Sequence, residues 1–161
     1  MGVEGDLATL RLARGCRCFG AWSGDRLVGY GWLSTAPEWI GELGVEIRPG
    51  PGEAYVWNCV TLPAHRRQGI FRSLLQCVLA SAAGEGLTRL WIGSVEDFAD
   101  RAIRDAGFRP VLNFESWSFA GWRRLRVWPP ADARRGDVEA AARAVSGHGR
   151  WNIYRVRTRR H

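Results

Sequence analysis

The sequence predicts a mixed α/β fold, a central sheet flanked by helices, and three observations predict it. Residues 54 to 62 (AYVWNCVTL) form a near-continuous apolar run closed by Pro63, the pattern of a central strand buried on both faces. Residues 69 to 83 (GIFRSLLQCVLASAA) place Phe71, Leu74, Leu75, Val78, Leu79 and Ala82 at spacings of three and four, which makes an amphipathic helix that Gly84 and Gly86 stop. A basic, glycine-containing loop joins the two, and a further strand and helix follow. That order calls for a right-handed crossover in a mixed sheet.

Each remaining element has its own signal. Residues 4 to 13 space Leu7, Leu10 and Leu12 for a short helix before Gly15. The runs CRCFGAW and RLVGYGWLS, rich in aromatic and branched residues and joined across Ser23, Gly24 and Asp25, read as a hairpin. Residues 34 to 52, with Pro37, Pro49 and Pro51, read as loop with one edge strand. LTRLWIGSV is a strand, and EDFADRAIRDA is a helix with acids in its first turn. Beyond it, residues 111 to 119 and 122 to 128 are strand-like, ARRGDVEAAARAV is a helix, and RWNIYRVRT is a last strand. With no repeat and no long linker, the expectation is a single domain over 1–161, with a core at about 16–110 and a C-terminal elaboration at about 111–161.

Composition removes several chemistries. All 23 basic residues are arginine, so a Schiff-base lysine, a pyridoxal anchor and a P-loop lysine are excluded. The charge is uneven: residues 1 to 118 carry 12 Arg against 13 acids, and residues 119 to 161 carry 11 Arg against 3. A balance of +8 in the last quarter fits a solvated region first, and a phosphate or nucleic-acid surface second. Cys16, Cys18, Cys59 and Cys77 match neither a zinc spacing nor a disulfide framework, so a reducing cytoplasmic setting and no metal are expected. No signal peptide, myristoylation signal or membrane span is expected.

The chemistry is concentrated in the segment from Val60 to Arg72. Backbone N–H groups at a helix start, opened by Gly69 and flanked by Arg66, Arg67 and Arg72, form a ready anion site. Alone, the same residues fit an ordinary helix start with solvated arginines. In context, Pro-x-x-Arg-x-x-Gly between a buried strand and a helix, followed by strand, helix and Gly107-Phe108, resembles the GCN5-related N-acetyltransferase (GNAT) superfamily from about residue 16 to 110. Arg66 and Gly69 match the family loop, and Phe71 stands where the family has a small residue. The resemblance implies a GNAT-like, mostly antiparallel mixed sheet with a shortened N-terminus, and acetyl-CoA or another acyl-CoA as cosubstrate. It further implies that the backbone amides of Arg67, Gln68, Gly69, Ile70, Phe71 and Arg72 hold the coenzyme pyrophosphate. The preceding strand is then expected to bulge and splay, with Cys59 and Thr61 offering backbone groups to thioester and pantetheine.

For catalysis the family often uses a tyrosine acid four residues before the Gly-Phe pair. Here that position is Ile103, and Glu96 stands at the family's asparagine. By period two, Tyr55, Trp57 and Cys59 share one strand face. Tyr55 is the candidate for proton relay through water, because a phenol of ordinary acidity is a poor direct base; Trp57 is the candidate acceptor-site residue. Ser94 is a candidate for hydrogen bonding to sulfur or acceptor, and also for a turn or helix cap. Glu42, Glu46 and Glu53 would attract a cationic amine, or are simply solvated. Cys59 reads as a small buried residue more readily than as an acyl carrier, and His65 as structural or near phosphate. Among the nine tryptophans, Trp32, Trp39, Trp57 and Trp91 fill core or wall an acceptor pocket.

The resulting expectation is an N-acyltransferase that passes an acetyl group directly to a small amine. The alternatives are a non-catalytic acyl-CoA-binding module, motivated by Ile103 and Phe71, and an RNA-directed enzyme or RNA-binding protein using the basic region with Trp122, Trp128, Trp151 and Tyr154. A homo-oligomer, or another partner that completes the sheet, would replace the strand missing from the N-terminus.

Overall fold

The computed structural model describes residues 3–94, 97–119 and 122–146. In chain order the elements are α1 (Val3–Ala13), β1 (Arg17–Ser23), β2 (Arg26–Ser34), β3 (Glu38–Ile40), β4 (Val45–Ile47), β5 (Glu53–Thr61), a 3-10 turn (Pro63–His65), α2 (Ile70–Gly84), β6 (Arg89–Ile92), α3 (Asp97–Asp105), β7 (Asn113–Phe119), β8 (Trp122–Trp128), α4 (Arg135–Ala144) and β9 (Val145–Ser146). They form two compact units, Met1–Ala36 with Pro49–Phe108, and Pro37–Arg48 with Arg109–His161.

The first unit is built on a four-stranded sheet in the order β1-β2-β5-β6. The β1/β2 and β2/β5 pairs are antiparallel and β5/β6 is parallel. The apolar run of β5 is thus interior, as its lack of polar alternation requires. On one sheet face Leu33, Ala54 and Val56 meet Leu75, Val78 and Ala82 of α2, with Ile103 and Phe108 packed against them. Burying a Leu or Val there stabilises by about 1.5–3 kcal/mol. On the other face Cys16, Tyr30 and Trp32 form a second cluster with Ala8, Leu27, Trp57 and Val60. The spacing of Leu74, Leu75, Val78 and Ala82 is what turns one side of α2 to the sheet.

The second unit holds a three-stranded sheet, β3-β4-β9, the antiparallel ribbon β7/β8, and α4. Its core joins Val45, Leu125 and Val127 with Ile40, Leu43, Leu112, Phe114 and Val145. Here the expectation of loop with one edge strand over residues 34 to 52 is corrected. Residues 38–47 make a hairpin, closed by the Gly44 N–H donating to the Ile40 carbonyl at 2.8 Å. Val45 and Ile47, two residues apart, both turn into the core, and that burial outweighs the glycine and proline signals around them. β9 pairs with β4 through Ile47 and Val145. The strand expected near residue 150 lies outside the described residues. Among the described residues no helix is long and apolar enough to cross a membrane.

Candidate functional site: a bulged strand and a basic helix start

The site begins with a count of rungs. β5 pairs with β6 over Glu53 to Val56, opposite Arg89 to Ile92, where β6 ends; among the described residues no rung with β6 follows from Trp57 to Thr61. On its other side β5 pairs with β2, but Tyr30 opposes Val60 and Trp32 opposes Trp57, so Gly31 faces two residues, Asn58 and Cys59. That is a bulge, and Asn58 takes the left-handed backbone it needs, φ 45°. The bulge falls within the stretch that the family resemblance marks.

It also overturns the period-two assignment of faces. Ala54 and Val56 face α2, and after the extra residue Cys59 packs with them, whereas Val60 joins Trp57 on the opposite face. Tyr55 and Trp57 keep a common face; Cys59 leaves it. Its thiol sits where a Gly31 side chain would be, and burial pushes its pKa up to about 12, against a smaller lowering by the Trp32 main-chain bond. A thiol so held carries almost no thiolate at neutral pH, which removes the basis for an acyl-cysteine. The unheeded sequence signal was Gly31 within a strand, a common mark of a bulge or close approach.

Beyond Thr61 the chain turns through Pro63–His65 and enters α2. Arg66 Nε donates to the Thr61 carbonyl at 3.3 Å, and Gln68 Nε2 to the Ala64 carbonyl at 3.5 Å. Arg67 (φ 62°) and Gly69 (φ 77°) are both left-handed. Gly69 is the N-cap of α2, no side chain caps the helix, and its first turn has no acid. The first rung is Ser73 N–H to the Gly69 carbonyl, at 3.0 Å. The N–H groups of Ile70, Phe71 and Arg72 therefore lie ahead of the helix ladder. Arg72 sits in this first turn, where a cation opposes the helix dipole unless an anion is also present. The Phe71 ring packs into the Leu33–Leu75 core, so it leaves the main chain approachable. A groove of about 410 Å³ borders the loop on the β1/β2 side, lined in part by His65, Gln68, Ile70 and Ser73.

The other expected site residues fall in several places. Tyr55 is buried, paired between Ser34 and Trp91, and its hydroxyl lies 3.6 Å from where a Gly93 side chain would start. Ser94 is exposed just beyond β6. Glu53 sits at the first rung of the β5/β6 ladder, where its carboxylate accepts from Trp91 Nε1 and Arg89 Nη1, both at 2.8 Å, and from the Gly50 N–H at 3.1 Å. Burial pushes the Glu53 carboxyl up, but those bonds and the Arg89 charge outweigh it and hold its pKa below the ordinary value. Glu42 and Glu46 belong to the second unit: Glu42 is exposed in a turn, and Glu46 accepts from Arg48 Nε. Ile103 is packed in the core, and Glu96 lies outside the described residues. Among the described residues no group of His, Cys, Asp or Glu could hold a metal.

One cluster had no sequence signal. On the face of Tyr55 and Trp57, the rings of Trp32 and Trp57 lie with centroids 6.3 Å apart at 33°. The Arg11 guanidinium, from the last turn of α1, stands 5.1 Å and 4.6 Å from the two centroids. Both indole N–H groups are buried without an acceptor among the described residues. Leaving a buried donor unpaired costs about 1–3 kcal/mol.

A strand that bulges and runs on past its short parallel neighbour, with a basic, glycine-capped helix start one loop further on, is the architecture of acyl-CoA-dependent acetyltransferases. The chain matches the model of the acetyltransferase (GNAT) family over residues 4–108, and it belongs to that family. Similar solved structures include an acetyltransferase from Bacillus subtilis in complex with CoA, 19% identical, covering 72% of this chain and 74% of that one with a TM-score of 0.53. The apo aminoglycoside 6'-N-acetyltransferase from Acinetobacter haemolyticus is 20% identical, covering 72% and 79%, also at 0.53. An acetyltransferase from Trypanosoma brucei is 17% identical, covering 71% and 77%, at 0.52. At these identities the likeness is one of fold. No curated protein matches the chain.

Proposed function

We propose that the protein is an acetyl-CoA-dependent N-acetyltransferase that moves the acyl group directly to a small amine. The observation that carries this is the pairing of an unladdered edge, Trp57 to Thr61, with the uncapped α2 start. The N–H groups from Arg67 to Arg72 would hold the pyrophosphate, with Arg66, Arg67 and Arg72 supplying charge. The β5 main chain at Cys59 and Thr61 would take the pantetheine and aim a main-chain donor at the thioester oxygen, where negative charge develops during attack. Acetyl-CoA supplies an activated carbonyl. The chain supplies position, oxyanion stabilisation and a route for protons.

Tyr55 is the relay we favour, through water, and Ser94 a donor near the sulfur. Trp57 would wall the acceptor side. Four free thiols suit a reducing, cytoplasmic setting. Isothermal titration with acetyl-CoA, followed by thiol release across an amine panel, tests the proposal. Gly69→Glu should weaken binding by at least about a hundredfold, because a carboxylate and a strained φ would both meet the pyrophosphate. A folded wild-type protein that binds no acetyl-CoA would rule the proposal out.

Ile103 in the core favours a second reading, a module that binds acyl-CoA without turnover. Binding without thiol release would select it. The Arg126 guanidinium, 4.9 Å from the Trp128 ring, with Trp117 48% exposed on the same ribbon, favours a third, contact with RNA. Failure to retain RNA at low salt would remove that one.

A further inference from the structure

A sheet ends at strands whose outer main-chain groups have no ladder to join, and β1 is one edge of the β1-β2-β5-β6 sheet. Its seven residues, Arg17–Ser23, pair with β2 on one side. Among the described residues, no main-chain hydrogen bond outside that ladder involves residues 17–23. The N–H and C=O groups that point away from β2 therefore lack a main-chain partner there. α1 does not lie along them: it packs through Ala8 on the sheet face and sets Arg11 over rings of β2 and β5.

Natural edges are blunted by lysine, by proline, by a bulge or by being very short. The chain contains no lysine, and β1 contains no proline. The register shift at Ala21/Trp22 puts the extra residue, Val28, on β2, so β1 itself stays regular. Its one charge, Arg17, is paired with Glu85, the C-cap of α2. The edge also has an apolar flank. Of the five large apolar side chains exposed among the described residues of this unit, four, Leu7, Leu10, Leu12 and Trp22, belong to α1 and β1. Trp22 leans over Gly20 on the face that α1 occupies, since a side chain at Gly20 would start 2.9 Å from Trp22 Nε1 and 3.0 Å from Leu27 Cδ1. A regular open edge beside exposed apolar side chains is built to receive another strand.

We propose that this strand is β1 of a second copy of the chain, pairing antiparallel about a two-fold axis at Gly20, the middle residue of β1. The strand is complementary to itself in that register. Phe19 lies opposite the partner's Ala21 on one face and Cys18 opposite the partner's Trp22 on the other, large against small both times. Gly20 meets its own counterpart, and Arg17 meets the partner's Ser23, so no like charges face each other. Two four-stranded sheets become one of eight. The bulged β5 lies two strands in from the joined edge, so the pairing stands or falls independently of acetyl transfer.

Sedimentation velocity between about 1 and 200 µM should show the mass rising from 18.0 kDa towards twice that value. Hydrogen exchange across the same range should show residues 17–23 protected only in the concentrated samples. Two double variants change exposed positions of β1: Cys18→Lys with Trp22→Lys, and Cys18→Glu with Trp22→Glu. Each alone sets like charges opposite one another and should weaken self-association by about tenfold or more. Mixed in equal amounts they should associate again, because each Lys then faces a Glu; circular dichroism and melting curves verify the fold of each. The inference is overturned by a chain that stays monomeric with residues 17–23 unprotected, or by a dimer that leaves them unprotected. It is equally overturned if neither double variant weakens association or if mixing restores nothing. Protection of residues 17–23 in a monomer at every concentration would assign the edge to another part of the same chain, such as residues 150–158, and would also refute pairing between copies.

Discussion

Gly31 and Cys59 share one volume on opposite strands. A side chain at Gly31 would start 2.8 Å from Cys59 Sγ and 3.1 Å from Leu74 Cδ2. Gly31→Ala normally gains about 0.4–1 kcal/mol by stiffening the unfolded chain. Here the clash is larger, because Sγ hangs on one short bond and cannot swing clear; about 1–3 kcal/mol of overpacking should win. Cys59→Ala removes Sγ, so Gly31→Ala should be far less costly in its presence. Urea midpoints for the two single variants and the double variant measure the coupling, and strictly additive values would show that the two do not compete for space. Cys59→Ala should also retain acetyl transfer, since only its main chain is assigned a role. The flip of Cys59 shows why a strict alternation misleads: one residue in the left-handed region, Asn58, reverses every side chain after it.

At the scale of elements, the short β5/β6 ladder needs a fixed anchor. Glu53 supplies one by tying β5 to Arg89 and Trp91 of β6 and to the turn at Gly50. Glu53→Gln keeps the shape but weakens three bonds to a charged acceptor, and should cost about 1–3 kcal/mol at neutral pH. The sign of the pH dependence follows from the lowered Glu53 pKa. Its stabilisation is fully present above the unfolded carboxyl pKa, near ~4.3, and is lost as pH falls through the lower folded value. Urea unfolding at neutral pH and near pH ~3 should therefore show the gap between wild type and Glu53→Gln narrowing in acid. A gap that widens would assign the cost to something other than this carboxylate. Elements with a strong period, β5 and α2 above all, were legible in the sequence because burial on a fixed face dictates them. Glu53 was not: an acid before an apolar strand looks solvated until the neighbouring strand brings its arginine and indole.

For the molecule as a whole, the basic excess and the candidate coenzyme site have different addresses in the sequence. Residues 1 to 118 hold 12 Arg against 13 acids, so attraction for an anionic coenzyme there is local, through Arg66, Arg67, Arg72 and the main-chain donors between them. Residues 119 to 161, at +8, would attract any polyanion. Salt separates the two, because it screens exposed charges beyond about 8 Å at physiological strength and closer still when raised, while leaving oriented N–H donors in place. Acetyl-CoA at about a hundred times its dissociation constant stabilises the folded chain by about 2.7 kcal/mol, a rise of roughly 5–10 °C in melting temperature for a protein of this size. That rise should shrink but persist in about 0.5 M sodium chloride, and a polyanion such as heparin should give a rise that disappears there. Arg66→Gln with Arg72→Gln should lower the coenzyme effect at low salt more than at high salt, since those two charges are the screened part. Identical salt profiles for acetyl-CoA and heparin would mean that general attraction, not the strand edge and helix start, accounts for the binding.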